Sequence, residues 1–469
     1  MCMGTNRESN EERINVSPQI YVIHHDAENY PTFESDIITP ILAGNPTRDG
    51  YRIALRDTIS DGGKKCITDV EKQDLYSEFT AYYYIWKNRV PKDKSSIIGI
   101  MHYRSFLDLT GKISTGKCSL ESRFGYDNSS VINNMSYGIP HCSEKGIPLA
   151  GTRGVDVIVS EPLDFAAGIY EQFDNCHPLA SQLFDKARKL IHNNPAYVDM
   201  EDYFDEHFSM GKYRNRPNVG FFKCLFISTW EFFDAYCDFI FYILDEIYND
   251  KKLMGEIKKI QMIKGPDRPE TQKKTRFSLL AFFAERLTSF YIAYSIKAGK
   301  FRVGVSARKH FEKMSDLVRE VYPIDSKKHL KPMVRVYSIE QQDHMAVTDL
   351  NELDSMKKDG YFCEGTLGYV YNEKVEGSLP LYRIERGYGE HFTTKHKSDQ
   401  YGGGKELGFV RDTYCLANKE VLNLKEYIYV GMPGGGITSI NPMEFEYVGY
   451  DPEHAYADEM EDLGYTVEY

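Results

Sequence analysis

Ile97-Ile98-Gly99-Ile100-Met101, running straight into His102-Tyr103-Arg104, is the stretch that most narrows what this chain can become. Apolar residues around one glycine, set off upstream by Pro91, the charges from Lys92 to Lys94 and two serines, predict a short buried strand. In an open α/β sheet, ligands gather at the carboxyl ends of the strands, where side chains emerge between loops. His102, Tyr103 and Arg104 are therefore placed where chemistry is usual. The plain alternative is a strand end with Arg104 solvated and His102 packed.

At 469 residues the chain is long enough for two or three domains, and 42% hydrophobic with 27% charged residues is an ordinary globular balance. A net charge of −12 argues against nucleic-acid binding, which needs a basic surface. The 9 cysteines are scattered and form no CxxC pair, so neither a disulfide framework nor a zinc knuckle follows. Tyrosine is abundant, at 35 residues, which suits surfaces that meet sugars or bases. The polar leader 1–18 lacks the apolar core of a signal peptide, and no apolar run reaches membrane-spanning length. These features predict a cytoplasmic protein with reduced thiols.

Along the chain, Gln19–Ile23 predicts a first strand, with His24-His25-Asp26 leaving its carboxyl end. His24 is placed to line a donor pocket, or simply to turn at the surface. Residues 44–65 read as a long loop that includes Asp61. Leu75, Phe79, Tyr82 or Tyr83, and Trp86 recur at helical spacing, predicting one helix over 74–88 capped by Asp74. Glu78 lies beside its buried stripe and needs a partner, Arg104 or a ligand hydroxyl. Residues 110–150 read as an excursion, and Val155–Val159 and Asn218–Ile227 as further strands. The acidic run 200–207 suits a solvated helix face better than a metal site. Trp230–Tyr248 is a core helix or a membrane-touching surface, Lys251–Lys274 a basic loop, and a last helix carries Phe282 to Leu287.

From Pro332 the texture changes to short β-type runs with an internal repeat. Val334–Tyr337 leads to Asp343-His344 and Gly360-Tyr361. Leu381–Arg383 leads to Glu390-His391 and Gly408-Phe409, and Phe445–Tyr447 to Glu453-His454 and Gly464-Tyr465. Three copies predict an all-β pseudo-threefold module, with a β-trefoil as one candidate arrangement. The repeated histidines suit a recurring structural hydrogen bond between turn and strand.

Three stretches together resemble a known family. Residues 76–88, 98–104 and the distal pair 218–222 with 282–287 look like domain of unknown function 4422, found in bacterial capsule and lipopolysaccharide gene clusters and treated as a glycosyltransferase. That family usually carries a second arginine after His-Tyr-Arg, where this chain has Ser105. The repeat module resembles domain of unknown function 5648, whose repeats suggest glycan contact. The resemblance implies a single-Rossmann, GT-A-like α/β domain over 19–312, a linker over 313–331 and the β-rich, carbohydrate-binding module over 332–469.

It also implies a hexosyltransferase that moves a sugar from a nucleotide-sugar donor to a surface-polysaccharide precursor. The expected donor is a UDP-hexose, with UDP-galactofuranose among the candidates. The acceptor is a lipid-linked precursor or an oligosaccharide, met at the inner face of the membrane; the lysine-rich loop is placed to meet anionic lipid or a lipid-diphosphate acceptor, with a solvated loop as the plain alternative. Such an enzyme must stabilise a diphosphate leaving group and deprotonate a hydroxyl. No Asp-x-Asp occurs in 19–300, so Arg104 with His102 is expected to neutralise the diphosphate without a metal, and no cofactor is called for. Glu285 is the first candidate base and Glu78 the second, each with a plain ion-pair alternative: Glu285-Arg286 or Glu78-Arg104. Tyr103, Asp61, Asn218 and His24 complete the expected donor contacts. The rival expectation is a non-catalytic, lectin-like protein with a degenerate transferase domain.

Overall fold

The computed structural model describes residues 18–24, 37–43, 67, 69–109, 131, 135, 155–214, 217–261 and 279–322, most of 324–411, and the strands 414–417, 420–423, 425–429, 436–439 and 465–468. Asp61, the expected loop 44–65 and all of the 110–150 excursion except Val131 and Met135 lie outside these residues.

The N-terminal part is a mixed seven-stranded sheet between helices. Its strands are β1 (Gln19–His24), β2 (Ile38–Leu42), β3 (Ile97–His102), β4 (Ser105–Asp108), β5 (Val157–Ser160), β8 (Phe226–Thr229) and β9 (Val303–His310), while β6 (Leu163–Phe165) and β7 (Asn218–Gly220) make a separate ribbon. β3 pairs in parallel with β1, matching Ile100 to Tyr21, and antiparallel with β8, matching Gly99 to Ile227. Side chains alternate between two cores, as the period of a strand requires. Tyr21, Ile23, Ile98 and Ile100 enter one core, Ile20, Val22 and Met101 the other. The glycine in β3 has a packing reason: a Cβ on Gly99 would sit 3.0 Å from Ile20 and 3.2 Å from Ile227.

Helices cover the first face. The Trp230–Asn249 helix buries Trp230, Phe233, Tyr236, Phe239, Ile240 and Ile243 there, so it is a core helix whose apolar face is spent inside the protein rather than offered to a membrane. Against the expectation of a basic loop, Lys251–Gln261 is helical, because Leu253, Met254 and Ile257 recur at helical spacing and are buried; Lys258 pairs with Glu71 at 2.9 Å. The acidic run forms a 3₁₀ turn and the helix Glu201–Phe208, whose Glu201, Asp205 and Glu206 pair with His192, Arg188 and Lys297. Among the described residues no helix is long and apolar enough to cross a membrane.

The expected helix over 74–88 is two helices, Val70–Tyr76 and Phe79–Asn88, broken at Ser77, whose φ is +47°. Asp69, not Asp74, caps the first, accepting the Glu71 and Lys72 amides at 3.0 and 3.3 Å. The apolar stripe survives the break: Leu75, Phe79 and Tyr82 are all buried. Spacing alone does not reveal such a kink.

The second face packs against the C-terminal part. Residues Met314–Val321 form a helix whose Met314, Leu317, Val318 and Val321 share one core with Val22, Met101 and Ile158 on one side and Val334, Val336 and Val347 on the other. The C-terminal strands form an eight-stranded antiparallel sheet and a three-stranded one. In the larger sheet, β10 (Leu330–Ser338) is flanked by β11 (Asp343–Val347) and β12 (Tyr361–Tyr371). In the same way β13 (Ser378–Glu385) is flanked by β14 (His391–Thr394) and β15 (Lys405–Arg411).

Register identifies the repeat. Met333 faces Gly368 and Leu381 faces Gly408, each just before a bulge. Leu367-Gly368-Tyr369 therefore corresponds to Leu407-Gly408-Phe409, and the expected counterpart Gly360-Tyr361 is corrected by that register. Gly408 has φ +148°, and a Cβ there would meet the Tyr371 carbonyl at 2.6 Å. The smaller sheet again sets a central strand, Lys425–Tyr429, between two antiparallel neighbours, Gly436–Ser439 and Tyr465–Glu468. The stretch from Phe445 to His454 lies outside the described residues. His391 bonds across the repeat instead of within its own hairpin: its amide and Nδ1 reach the buried Asp343 at 2.8 and 2.7 Å, and Tyr361 donates to the same carboxylate at 2.8 Å.

Candidate functional site at the carboxyl edge of the sheet

β1, β2, β3, β5 and β9 all run in one sense, and β8 runs against them. The carboxyl ends of the first group and the beginning of β8 therefore share one edge. His24, His102-Tyr103-Arg104, Ser160 and His310 all stand there, together with the loop that enters β8.

At the β1 and β3 ends, the Tyr103 amide donates to the Ile23 carbonyl at 3.0 Å, which holds its ring against His24 (5.7 Å between centroids) and beside His102 (5.8 Å). His24 is buried, so the expected surface turn is replaced by a packed ring. The break at Ser77 puts Glu78 at the start of the Phe79–Asn88 helix, where its carboxylate hydrogen-bonds His102 Nε2. Among the described residues Glu78 pairs with His102 and not with Arg104. Both side chains are mostly shielded, 16% and 15% exposed, which strengthens the pair electrostatically. The carboxylate accepts, so Nε2 carries the proton toward it.

Asn218–Ile227, expected as one strand, is interrupted after Gly220 by a loop in which Lys223 (φ +80°) and Cys224 (φ +52°) are both left-handed. Such residues cost about 1–3 kcal/mol each and persist only where surroundings over-determine them. Here the surroundings do. Ser289 accepts the Phe221 amide at 2.9 Å, Ser160 donates to the Phe222 carbonyl at 3.3 Å, Glu285 accepts the Lys223 amide at 2.8 Å, and Tyr82 donates to the Cys224 carbonyl. Burial, and after it the charges of Glu78 and Glu285, push the Cys224 thiol up, so both carboxylates lie within electrostatic reach of this loop.

Glu285 spends its second oxygen on Arg286 at 2.5 Å, and Arg286 also donates to Gln172 at 2.7 Å while lying over the rings of Phe222 and Phe173. The pair holds the Leu279–Ala298 helix to the β8 entry loop. Asn218 donates to the His207 carbonyl and so ties β7 to the Glu201–Phe208 helix; among the described residues its Oδ1 has no partner.

Sequence reasoning missed a chain of contacts on the far side of Arg104. Ser105 and His310 are opposite each other in the β4–β9 register and bond Oγ to Nδ1 at 2.5 Å. His310 Nε2 bonds Glu312 at 3.0 Å, and Glu312 lies 3.8 Å from Arg104. Burial, then Arg104, lower the His310 pKa, which favours the neutral ring, with Nε2 donating to Glu312 and Nδ1 accepting from the Ser105 hydroxyl. Val303–Val305 ending in Arg308-Lys309-His310 is the same signal as β3 ending in His-Tyr-Arg, and could have been read that way. Lys223 had no such signal, because nothing in Phe-Phe-Lys-Cys announces a left-handed turn. Among the described residues no group of three His, Cys, Asp or Glu is placed to hold a metal ion.

The family described as domain of unknown function (DUF4422) matches residues 19–295, and the one described as domain of unknown function (DUF5648) matches residues 309–412. No curated protein matches the chain. A solved apo structure of the WbbM bifunctional glycosyltransferase is similar with a TM-score of 0.44 and 18% identity, over 63% of this chain and 46% of that one. The chain thus spans less than half the length of that protein.

Proposed function

The chain belongs to the DUF4422 family, and from that premise we propose that it is a glycosyltransferase moving a hexose from a nucleotide-sugar donor to a surface-polysaccharide precursor. The observation that carries this reading is the Glu78–His102 pair, held at the carboxyl edge of the sheet with Arg104 two residues further along the chain. The reaction asks for a base beside an anion site, and a carboxylate with a guanidinium nearby on one edge supports that reading. In the proposal Glu78 accepts the proton of the acceptor hydroxyl as that oxygen bonds to the anomeric carbon and the bond from that carbon to the diphosphate breaks, releasing the nucleoside diphosphate. His102 orients the carboxylate, and Arg104 neutralises the charge left on the diphosphate.

Glu285, the first expectation for the base, has both oxygens engaged by Lys223 and Arg286. It fits better as the group that shapes the β8 entry loop. Tyr103 and the buried His24, both expected as donor contacts, stack on each other and back the edge from inside. A UDP-hexose donor and metal-free leaving-group stabilisation by cationic side chains belong to the same proposal. So do a β-trefoil, glycan-binding C-terminal module and work at the cytoplasmic membrane face. For the last, the Lys251–Gln261 helix exposes Lys251, Lys252, Lys258 and Lys259.

The test is turnover of UDP-, GDP- and CMP-sugars with simple glycan acceptors, with and without chelator, in wild type, Glu78→Gln and Arg104→Ala. Chelator-insensitive turnover of one donor is expected, with kcat falling at least a hundredfold in Glu78→Gln at little-changed donor KM, and donor KM rising in Arg104→Ala. A folded wild type that neither binds nor turns over any donor would overturn the reading.

A further inference from the structure

The position after His102-Tyr103-Arg104 is Ser105, so β3 and its turn bring a single guanidinium to the edge. Ser105 is not idle, for its hydroxyl holds His310 at the end of β9. Arg308 lies two residues earlier on β9, on the same face as His310, opposite Leu107 as His310 is opposite Ser105. Its Nη1 is buried and has no hydrogen-bond partner among the described residues. Across the edge, Lys223 is exposed on the left-handed loop that enters β8. Among the described residues no carboxylate pairs with Lys223 or Arg308. Arg104, Lys223 and Arg308 each disfavour a proton on His310, as converging cations do. Glu312, 78% exposed, lies 3.8 Å from Arg104, and Glu285 accepts the Lys223 amide at 2.8 Å while its other oxygen is held by Arg286.

With one exposed carboxylate beside Arg104 and His310, and none paired with Arg308 or Lys223 among the described residues, the cations at this edge outnumber the anions, which suits an added anion. We propose that Arg308 and Lys223, with Arg104, form a diphosphate-binding subsite, in which β9 supplies a second guanidinium. Arg308 lies beyond the segment matched to the family, which ends at residue 295. Planar guanidinium groups suit bidentate contact with phosphate oxygens, and the ammonium adds a movable point charge. The diphosphate belongs either to a nucleotide-sugar donor or to a lipid diphosphate acceptor. Only that identity rests on the transferase reading; the anion site stands on the charges themselves.

Calorimetric titration of the full chain with inorganic pyrophosphate, UDP, uridine and farnesyl diphosphate tests it, in wild type, Arg308→Gln, Arg308→Lys and Lys223→Ala. Near-ultraviolet circular dichroism checks the fold of each variant. Pyrophosphate should bind the wild type and lose roughly tenfold or more in Arg308→Gln, less in Arg308→Lys, as the loss of a charged hydrogen bond implies. Lys223→Ala, changed at an exposed side chain, should show a loss of its own. UDP losing in parallel while uridine affinity holds assigns the group to a donor. Farnesyl diphosphate binding in place of UDP assigns it to an acceptor and removes the donor role from Arg104. Equal pyrophosphate affinity in wild type and all folded variants overturns the subsite. Nucleotide-sugar turnover with an unchanged donor KM in Arg308→Gln would overturn it for the donor and leave the transferase intact. Pyrophosphate binding that the variants lose, in a wild type that turns over no sugar, would keep the subsite and remove the transferase.

Discussion

Acid should loosen this protein through His207, and the size of the effect follows from where the ring sits. His207 is buried among Phe208, Phe290 and Tyr203, and bonds the Ser289 hydroxyl at 3.2 Å. Burial lowers its pKa from the ordinary 6.5 to about 3. The folded state therefore keeps the ring neutral where the unfolded chain protonates it. Stability is whole above pH 6.5 and is lost as pH falls toward 3. At pH 5 the unfolded ring is charged and the native one is not, which removes about 2 kcal/mol relative to pH 7. The variant is His207→Gln, which retains polar atoms for Ser289. Urea unfolding at pH 7 and pH 5 should show wild type losing about 2 kcal/mol more than the variant over that interval. His177, held at about 4 by burial and then by Arg286, destabilises both proteins alike and drops out of the difference. An equal loss in wild type and His207→Gln would refute the reasoning.

Glu285→Gln leaves the Arg286 charge uncompensated in a largely buried setting and should lower stability by about 3 kcal/mol, read by urea unfolding; Glu285→Gln with Arg286→Met should cost less than the single change. Gly220→Ala should destabilise by about 1–3 kcal/mol in thermal melts, because the new Cβ would stand 2.2 Å from the Phe222 ring and 2.9 Å from Ile169. Asp343→Asn should cost about 1–3 kcal/mol and raise amide exchange at His391, whose N–H it now holds at 2.8 Å.

The parts of the fold legible in the sequence were those governed by periodicity. β3 emerged where its apolar run lay, because a strand buried on both faces needs little but apolar residues. The stripe through Leu75, Phe79 and Tyr82 was visible because burial, not helix continuity, selects it. The Ser77 break was invisible for the same reason: the stripe tolerates a kink that keeps its residues facing inward. The lysines of 251–259 hid a helix because charge dominates the composition while Leu253, Met254 and Ile257 decide the structure. At the site, His102 and Glu78 could each be named, but their pairing depends on that kink. Lys223 and Arg308 come to the edge through long-range pairing of β8 and β9, about which local residue types say nothing.

The core shared by Val22, Met101 and Ile158 with Met314, Val318, Val334 and Val347 makes the matched family segment and the repeat module cooperative partners in unfolding. Cutting the chain near residue 312 would strip one face of the sheet whose edge carries His102 and Arg104. That edge would then inherit the melting behaviour of a half-dressed sheet. Differential scanning calorimetry of the intact chain should accordingly record one transition spanning both segments, and the isolated N-terminal segment should melt lower and expose dye-binding apolar surface.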